Sequence, residues 1–160
     1  MEEEKNECWI NSRRSYINLE RKPHEAMLIG NIKKFAPGAK VIMYSCGSIV
    51  AVIKDRAEMG LYVLNSMQPF AKNMNAENLK EQFGDIMSFH GGIDVQQILP
   101  YGTPADIRKE VKRLIKTWMP TGGWIGAASH NIQPDVLPEN IVAMFDALQE
   151  FGDGRFISEV

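Results

Sequence analysis

The sequence predicts an α/β fold built from about four units, each a strand followed by a helix. Short apolar runs of strand length alternate with longer segments whose apolar residues recur at helical spacing. Several of the helical segments begin at a capping residue or a proline and end at a glycine. This alternation is typical of a parallel sheet whose strands are joined by crossover helices. Two closures fit it, an open doubly wound sheet and a (β/α)8 barrel.

The first helical segment covers residues 12–35, where Pro23 is expected to kink or split the helix. Pro37 and Gly38 end it. The strand "KVIMYS" follows, and its nearly continuous apolar run predicts burial on both faces.

Three further strands and four further helical segments complete the order. The next helix, "SIVAVIKDRAEMG", has Ser48 as its predicted N-cap and Gly60 at a left-handed C-terminal position. The strand "LYVLNS" precedes the helix "AENLKEQFG", which Asn75 caps. The strand "DIMSFHGG" precedes the helix "TPADIRKEVKRLIKTWM", which begins with Thr103, Pro104 and Asp106. The strand "GGWIGAAS" precedes the helix "PENIVAMFDALQEFG", which begins at Pro138 and ends at Gly152.

Composition and charge are those of an ordinary globular protein. The chain has 160 residues, 44% of them hydrophobic, and a net charge of -2, which gives no electrostatic reason to expect nucleic acid. Its first residues, "MEEEKNECW", are acidic where an export signal would be basic. The longest apolar stretch, around residues 41–53, is shorter than the about 20 residues that span a bilayer. Cys8 and Cys46 make no disulfide framework, so we expect a cytoplasmic protein without a membrane partner.

Polar residues follow the predicted strand ends, where a parallel barrel carries its active site. These residues are Cys46, Asn65, Ser66, His90, Asp94, Ser129 and His130. Gly91 and Gly92 allow a close approach of backbone to a ligand. Asp94 is expected to cap the next turn rather than to act as an acid.

Four separated strings carry a family resemblance: "APGAKVIMYSCGSI", "VLNSMQPFAKNM", "FGDIMSFHGGIDVQQILPYGTP" and "SHNIQPDVLPENI". In this order and spacing they resemble the uroporphyrinogen decarboxylase family, which includes porphyrinogen decarboxylases and methyltransferases acting on corrinoid proteins. The resemblance implies the C-terminal half of a (β/α)8 TIM-type barrel. We therefore predict an N-terminal tail over residues 1–11, a half-barrel over 12–152 and a C-terminal tail over 153–160.

The function that the resemblance implies is that of a cofactor-independent carboxy-lyase acting on a tetrapyrrole-like or other small-molecule substrate. His130 matches a histidine that faces substrate carboxylates, and an imidazole can also pass a proton to carbon. The implied substrate contacts are Cys46, Gly47, Ser66, His90, Gly91, Gly92, Asp94 and Tyr101. The matched strings leave out the arginine-rich entry and the aspartate that holds the pyrrole nitrogens, so we expect the domain to be incomplete and inactive alone.

Cys46 has an alternative interpretation. The methyltransferase branch binds zinc through a His-x-Cys pair at this turn and a later cysteine, but Tyr44 occupies the histidine position here. Cys46, His90 and His130 remain a possible zinc set, while a small buried cysteine packing under the turn is the favoured interpretation. No cofactor is the first expectation, with zinc as the alternative. The alternative functions are a fragment or subunit of a corrinoid-dependent methyltransferase, and a non-catalytic half-barrel that binds a partner.

Four strands cannot close a barrel on themselves, because strand number, tilt and shear are linked. Their inner face would leave about 300 Å² uncovered, and both sheet edges would be open to association. We therefore expect a homodimer, a complex with a complementing N-terminal half-barrel chain, or a rearranged packing.

Overall fold

The structure is a computed structural model that describes residues 21–119 and 121–153. Its strands are β1 (Ile42–Tyr44), β2 (Val63–Met67), β3 (Ser88–Ile93) and β4 (Trp124–Ala128). Its helices are α1 (Lys22–Phe35), α2 (Val50–Glu58), α3 (Ala76–Phe83), α4 (Ile98–Tyr101), α5 (Pro104–Trp118) and α6 (Pro138–Phe151). None of these helices is long and apolar enough to cross a membrane.

The four strands form one parallel sheet whose spatial order is the chain order, β1-β2-β3-β4. Parallel crossovers are almost always right-handed, so connections that all advance in one direction put their helices on one face of the sheet. A doubly wound sheet instead reverses its order and carries helices on both faces. The predicted succession of parallel strands and helices is confirmed, and of the two closures it fits part of a barrel.

The core lies between the sheet and these helices. Helix α5 buries Ile107, Val111, Leu114 and Trp118, which recur at helical spacing. The Trp118 ring packs against Phe89 of β3, with the ring centroids 5.3 Å apart. Sequence periodicity therefore fixes which side of α5 faces the sheet.

The inner face of the sheet is open. Ile42 and Tyr44 of β1 are 51% and 53% exposed, and Ile125 of β4 is 47% exposed. The predicted burial of β1 on both faces is therefore wrong, because no described helix covers this side of the sheet. The strand is also shorter than the predicted run, since only Ile42–Tyr44 pairs with β2.

Most of the predicted helix ends are confirmed. Gly60 has a φ of +95° directly after α2, and the Asn75 side chain accepts a hydrogen bond from the Asn78 backbone N–H at 2.9 Å. At the start of α5, Thr103 and Asp106 form a reciprocal capping box. Because these signals depend on neighbours within a few residues, the sequence was sufficient to locate them.

One expectation about a helix start is wrong. Ser48 does not cap α2; Ile49 stands at the N-cap, and the Ser48 hydroxyl donates to the Lys72 carbonyl at 2.8 Å instead. Pro23 lies in the first turn of α1, where proline is tolerated. The kink or split expected at Pro23 stays a prediction, because the preceding helical residues are not described. Residues 12–20 of the predicted first helix lie outside the described residues, as do the tail over 1–11 and residues 154–160.

Helices α1 and α6 lie at the two ends of the helix array. Helix α1 packs on α2 through Lys22, whose Nζ lies 2.8 Å from Asp55 Oδ1. Helix α6 packs on α5, where Arg108 pairs with Glu150 and its guanidinium lies 5.4 Å from the Phe151 ring centroid. Helix α6 also contacts the short helix α4, since Asn140 donates to the Leu99 carbonyl.

Candidate functional site

A cleft of about 460 Å³ opens at the carboxyl ends of the strands. All four strands or the residues that follow them contribute to it. Its lining residues are Tyr44, Asn65, His90, Ala128, His130 and Asn131. This is the position at which a parallel barrel carries its active site.

The strand register explains why three of these side chains meet. Tyr44 pairs with Asn65, and Asn65 pairs with His90. Side chains alternate between the faces of a strand, so directly paired residues share one face. Tyr44, Asn65 and His90 therefore form a row across the open inner face.

His130 completes the cleft from the loop after β4. Its imidazole contacts the Tyr44 ring edge to face, with centroids 5.9 Å apart and planes at 75°. The side chain is exposed, and Asn131 follows it in the same loop. An exposed imidazole can exchange protons with solvent while it contacts a molecule in the cleft.

Two buried polar atoms at this end of the sheet make no hydrogen bond within the described residues. They are Nδ1 of His90 and Oγ of Ser66. Buried polar atoms are usually paired, so each such atom calls for an explanation. His90 lines the cleft, so its imidazole is a candidate ligand contact.

The cleft is lined mostly by polar side chains. Two imidazoles, two amides and one phenol surround it, and none of its described lining residues is an aspartate or a glutamate. Each of these groups can donate a hydrogen bond. Such a lining suits an anionic group, because hydrogen bonds to a charged acceptor are the stronger ones.

Gly91 and Gly92 lie in β3 with φ of +101° and +99°. L side chains rarely adopt such a φ, so the backbone favours glycine at both positions; a Cβ on Gly92 would also displace the flexible end of Met67, whose Cε lies 2.0 Å from it. The Gly91 carbonyl accepts a hydrogen bond from Trp124 Nε1 at 2.8 Å. Both glycines are buried in the sheet, and the predicted ligand contact there stays a prediction.

Asp94 caps the turn that follows β3, as its position in the sequence suggests. Its Oδ2 accepts hydrogen bonds from the backbone N–H groups of Gln96, Gln97 and Ile98 at 3.1, 2.5 and 3.0 Å. The residue is 3% exposed. The carboxylate therefore holds the start of α4, a helix that the sequence pattern had not predicted.

Cys46 is exposed, so the prediction that it packs under the turn is wrong. The turn is held by a contact distant in sequence, since the Gly47 N–H donates to Gln68 Oε1 at 2.7 Å. Within the described residues no three His, Cys, Asp or Glu side chains lie together as metal ligands. The structure thus does not assemble Cys46, His90 and His130 as a zinc set.

The remaining predicted contacts lie outside the cleft lining. Tyr101, on α4, is 80% exposed, and Ser66 is buried in β2 beside Asn65. The predicted contact set had omitted Tyr44, Asn65 and Asn131. Asn131 directly follows His130, so extending the set one residue along the loop would have found it.

Comparison with known proteins identifies the family. The family model described as Uroporphyrinogen decarboxylase (URO-D) matches residues 19–151. The chain belongs to the uroporphyrinogen decarboxylase family. The match includes every lining residue of the cleft, and it confirms the family that the four sequence strings predicted.

Curated relatives match a shorter segment. A uroporphyrinogen decarboxylase of Pseudoalteromonas translucida is 32% identical over 78 residues, which are 49% of this chain and 22% of that protein. One from Methylococcus capsulatus is 29% identical over 72 residues, 45% of this chain and 20% of that protein. The aligned part of the chain thus spans about a fifth of the length of these family members.

A solved structure shares the fold. A methyltransferase from Methanosarcina mazei superimposes with a TM-score of 0.69 at 19% identity, over 87% of this chain and 38% of that protein. At this identity the likeness shows the fold alone. The methyltransferase alternative therefore stays a prediction.

Proposed function

We propose that this domain binds a carboxylate-bearing substrate in the cleft and supplies His130 to a decarboxylation of the uroporphyrinogen decarboxylase type. The observation that carries the proposal is the lining of the cleft. It offers five side chains that can donate hydrogen bonds, and none of its described lining residues is an aspartate or glutamate. The family membership supports the reaction type.

The donors lie at different depths. Tyr44 is 53% exposed, at the mouth of the cleft, whereas Nδ1 of His90 is buried without a described partner. A carboxylate bound between them would give His90 an acceptor and replace water at Tyr44. Binding would then favour a ligand whose charged group reaches the strand ends.

The reaction balances without a redox cofactor. A proton adds to a carbon of an electron-rich pyrrole, and the bond between the acetate side chain and its carboxylate breaks. The electron pair of that bond neutralises the cationic ring, and CO₂ leaves. A second proton adds to the remaining exocyclic carbon while the ring carbon releases its own. The net change is one proton consumed and one CO₂ released.

His130 is the residue we assign to proton transfer. An imidazole can both accept and donate protons through its two ring nitrogens, which suits this role. The edge-to-face contact with Tyr44 restricts the orientation of the ring. His130 would thus present a proton to a substrate held in the same cleft.

The described cleft lacks one element of this chemistry. A carboxylate placed against the ring would stabilise the cation formed by the first proton transfer, and none lines the cleft within the described residues. We accordingly propose that the isolated chain binds the substrate but does not turn it over.

Calorimetric titration of the purified chain with uroporphyrinogen, kept reduced under anaerobic conditions, tests the binding. The carboxylate form should bind, and its methyl ester should bind at least about tenfold more weakly, since each charge-assisted hydrogen bond contributes about 1.5–3 kcal/mol. His130→Gln should weaken binding, and His24→Gln, at an exposed histidine on α1 outside the cleft, should not.

Two outcomes would each overturn one part of the proposal. Equal binding of acid and ester would show that the cleft does not recognise carboxylates. Release of CO₂ from uroporphyrinogen by the pure chain would leave the binding proposal standing and remove the proposal of inactivity.

A further inference from the structure

Exposed apolar side chains on the helices concentrate at the two ends of the helix array. Helix α1 exposes Met27 (63%), Leu28 (62%) and Phe35 (82%), and helix α6 exposes Val142 (57%) and Phe145 (59%). The helices between them, α2, α3 and α5, have no large hydrophobic residue among the exposed ones of the described chain. Since the middle helices have polar outer faces, the apolar flanks of α1 and α6 indicate contact surfaces.

The same two ends carry the open edges of the sheet. Within the described residues β1 pairs only with β2, and β4 pairs only with β3. Ile42, Tyr44 and Ile125 are exposed on the inner face between these edges. Unpaired edges beside an apolar face favour the addition of further strands.

Charge does not choose the partner of α6, because its acidic residues lie away from Phe145. Glu139, Asp146 and Glu150 recur at i, i+7 and i+11 on one side of the helix, and Glu150 pairs with Arg108 of α5. Strand direction chooses it instead, since β4 placed against β1 continues the parallel sheet.

We propose that two copies of this chain close into one barrel, with β4 and α6 of each copy placed against β1 and α1 of the other. A two-fold axis along the barrel makes both seams identical and keeps all strands parallel. Helices α1 and α6 each have 14 residues, so they match along a seam of about 21 Å. The closed sheet would have about eight strands, a number at which side chains just fill the interior.

The contact area is of the size that a stable dimer needs. The inner face offers about 300 Å² per copy. The two helix flanks, each about 21 Å long and about 10 Å wide, add roughly 400 Å². A stable interface buries about 800 Å² per partner. This inference does not depend on the proposed function, because it uses the sheet edges and helix flanks rather than the chemistry of the cleft.

Size-exclusion chromatography with multi-angle light scattering tests the closure. The chain has a mass of 18.0 kDa, and the proposal expects a single species of twice that mass over a wide range of protein concentration. A species with the mass of one chain whose circular dichroism spectrum shows that it is folded would overturn the proposal. An open series of larger assemblies would also overturn it. A monomer that forms a stable complex only with another protein would overturn it too.

Seam variants separate this arrangement from other dimers. Leu28→Glu on α1 and Phe145→Glu on α6 should each shift the mass toward the monomer while the circular dichroism spectrum is retained. Ile86→Glu is the matched control, because Ile86 is 50% exposed in the loop between α3 and β3, away from both seams. If only one seam variant dissociates, or if the control dissociates as well, the closure is wrong.

Mixing the two seam variants gives a second test that does not depend on how either one behaves alone. A mixed pair has one seam in which both flanks are native and one in which both are altered. The proposal therefore expects a mixed dimer that is more stable than either variant with itself. Equal dissociation of the mixture and of the separate variants would contradict the two-seam arrangement.

Discussion

Tyr44 and His130 contact each other although they belong to opposite edges of the sheet. Tyr44 ends β1 and His130 follows β4, yet their ring centroids are 5.9 Å apart. In a flat sheet three strand spacings would separate these edges by about 14 Å. The two side chains therefore reach toward each other over the inner face, and this contact brings residues from both edges into one cleft.

The Tyr44–His130 contact should appear as an energetic coupling. A double-mutant cycle with Tyr44→Ala and His130→Ala should give an interaction of about 0.5 kcal/mol in the free energy of unfolding, measured by urea denaturation at one protein concentration. Tyr44→Ala combined with Tyr101→Ala is the control and should be additive. Additivity in both pairs would show that the edge-to-face contact contributes nothing.

Gly92 should not tolerate a side chain. Gly92→Ala puts a side chain on a residue with a φ of +99°, a conformation that L residues rarely adopt, so we expect about 1–3 kcal/mol of destabilisation. Gly30→Ala is the matched control, because Gly30 lies within α1 with nothing inside 4 Å of an added Cβ. That change should stabilise the protein by up to about 1 kcal/mol. Urea denaturation measures the free energy of unfolding of both variants. The prediction is wrong if both substitutions raise that free energy or both lower it.

Asn140 should be an important polar residue of the core. It is 1% exposed, and its Nδ2 donates to the carbonyls of Leu99 and Gly102, each at 2.9 Å. Asn140→Ala leaves these carbonyls without their donor, so we expect a loss of about 2 kcal/mol in the free energy of unfolding. Asn31→Ala, at an exposed position on α1, should cause no loss. Equal chemical stability of the two variants would refute the role of Asn140.

The capping box should make stability depend on pH. Hydrogen bonds from the Thr103 hydroxyl and backbone N–H lower the pKa of Asp106 in the folded protein. The pKa of Asp106 in the folded protein lies below its unfolded value of about 3.9. The ionised carboxylate therefore stabilises the fold at pH values above about 3.9, and this stabilisation is lost as the pH falls through the folded pKa. The stability advantage of the wild type over Asp106→Asn should therefore shrink in acid.

The carboxyl group of Asp106 can be followed directly by carbon NMR. Thr103→Ala removes the hydroxyl donor, so the pKa of Asp106 should rise toward its unfolded value. An unchanged titration in that variant would show that Thr103 does not lower the pKa.

The sequence predicted those features that depend on near neighbours. Asn75 and the pair Thr103 and Asp106 act over three residues, and their residue types alone indicate helix starts. The apolar spacing in α5 likewise predicted its buried side. These signals were sufficient for the order of strands and helices.

Features that depend on distant contacts were not predictable in the same way. The exposure of Cys46 follows from a turn held by Gln68, 21 residues beyond Gly47. The actual role of Ser48 depends on Lys72. Tyr44 lines the cleft because its register with Asn65 and its contact with His130 place it there. Such contacts require the packed structure, because nothing local to those residues encodes them.

Imidazole NMR during titration with uroporphyrinogen tests whether the ligand binds between His90 and His130. The chain contains three histidines; His90 and His130 line the cleft, and His24 is exposed on α1. The ring signals of His90 and His130 should shift together with added ligand while those of His24 stay constant. Saturable binding that moves the His24 signals alone, or that leaves both cleft histidines unchanged, would contradict this placement of the ligand.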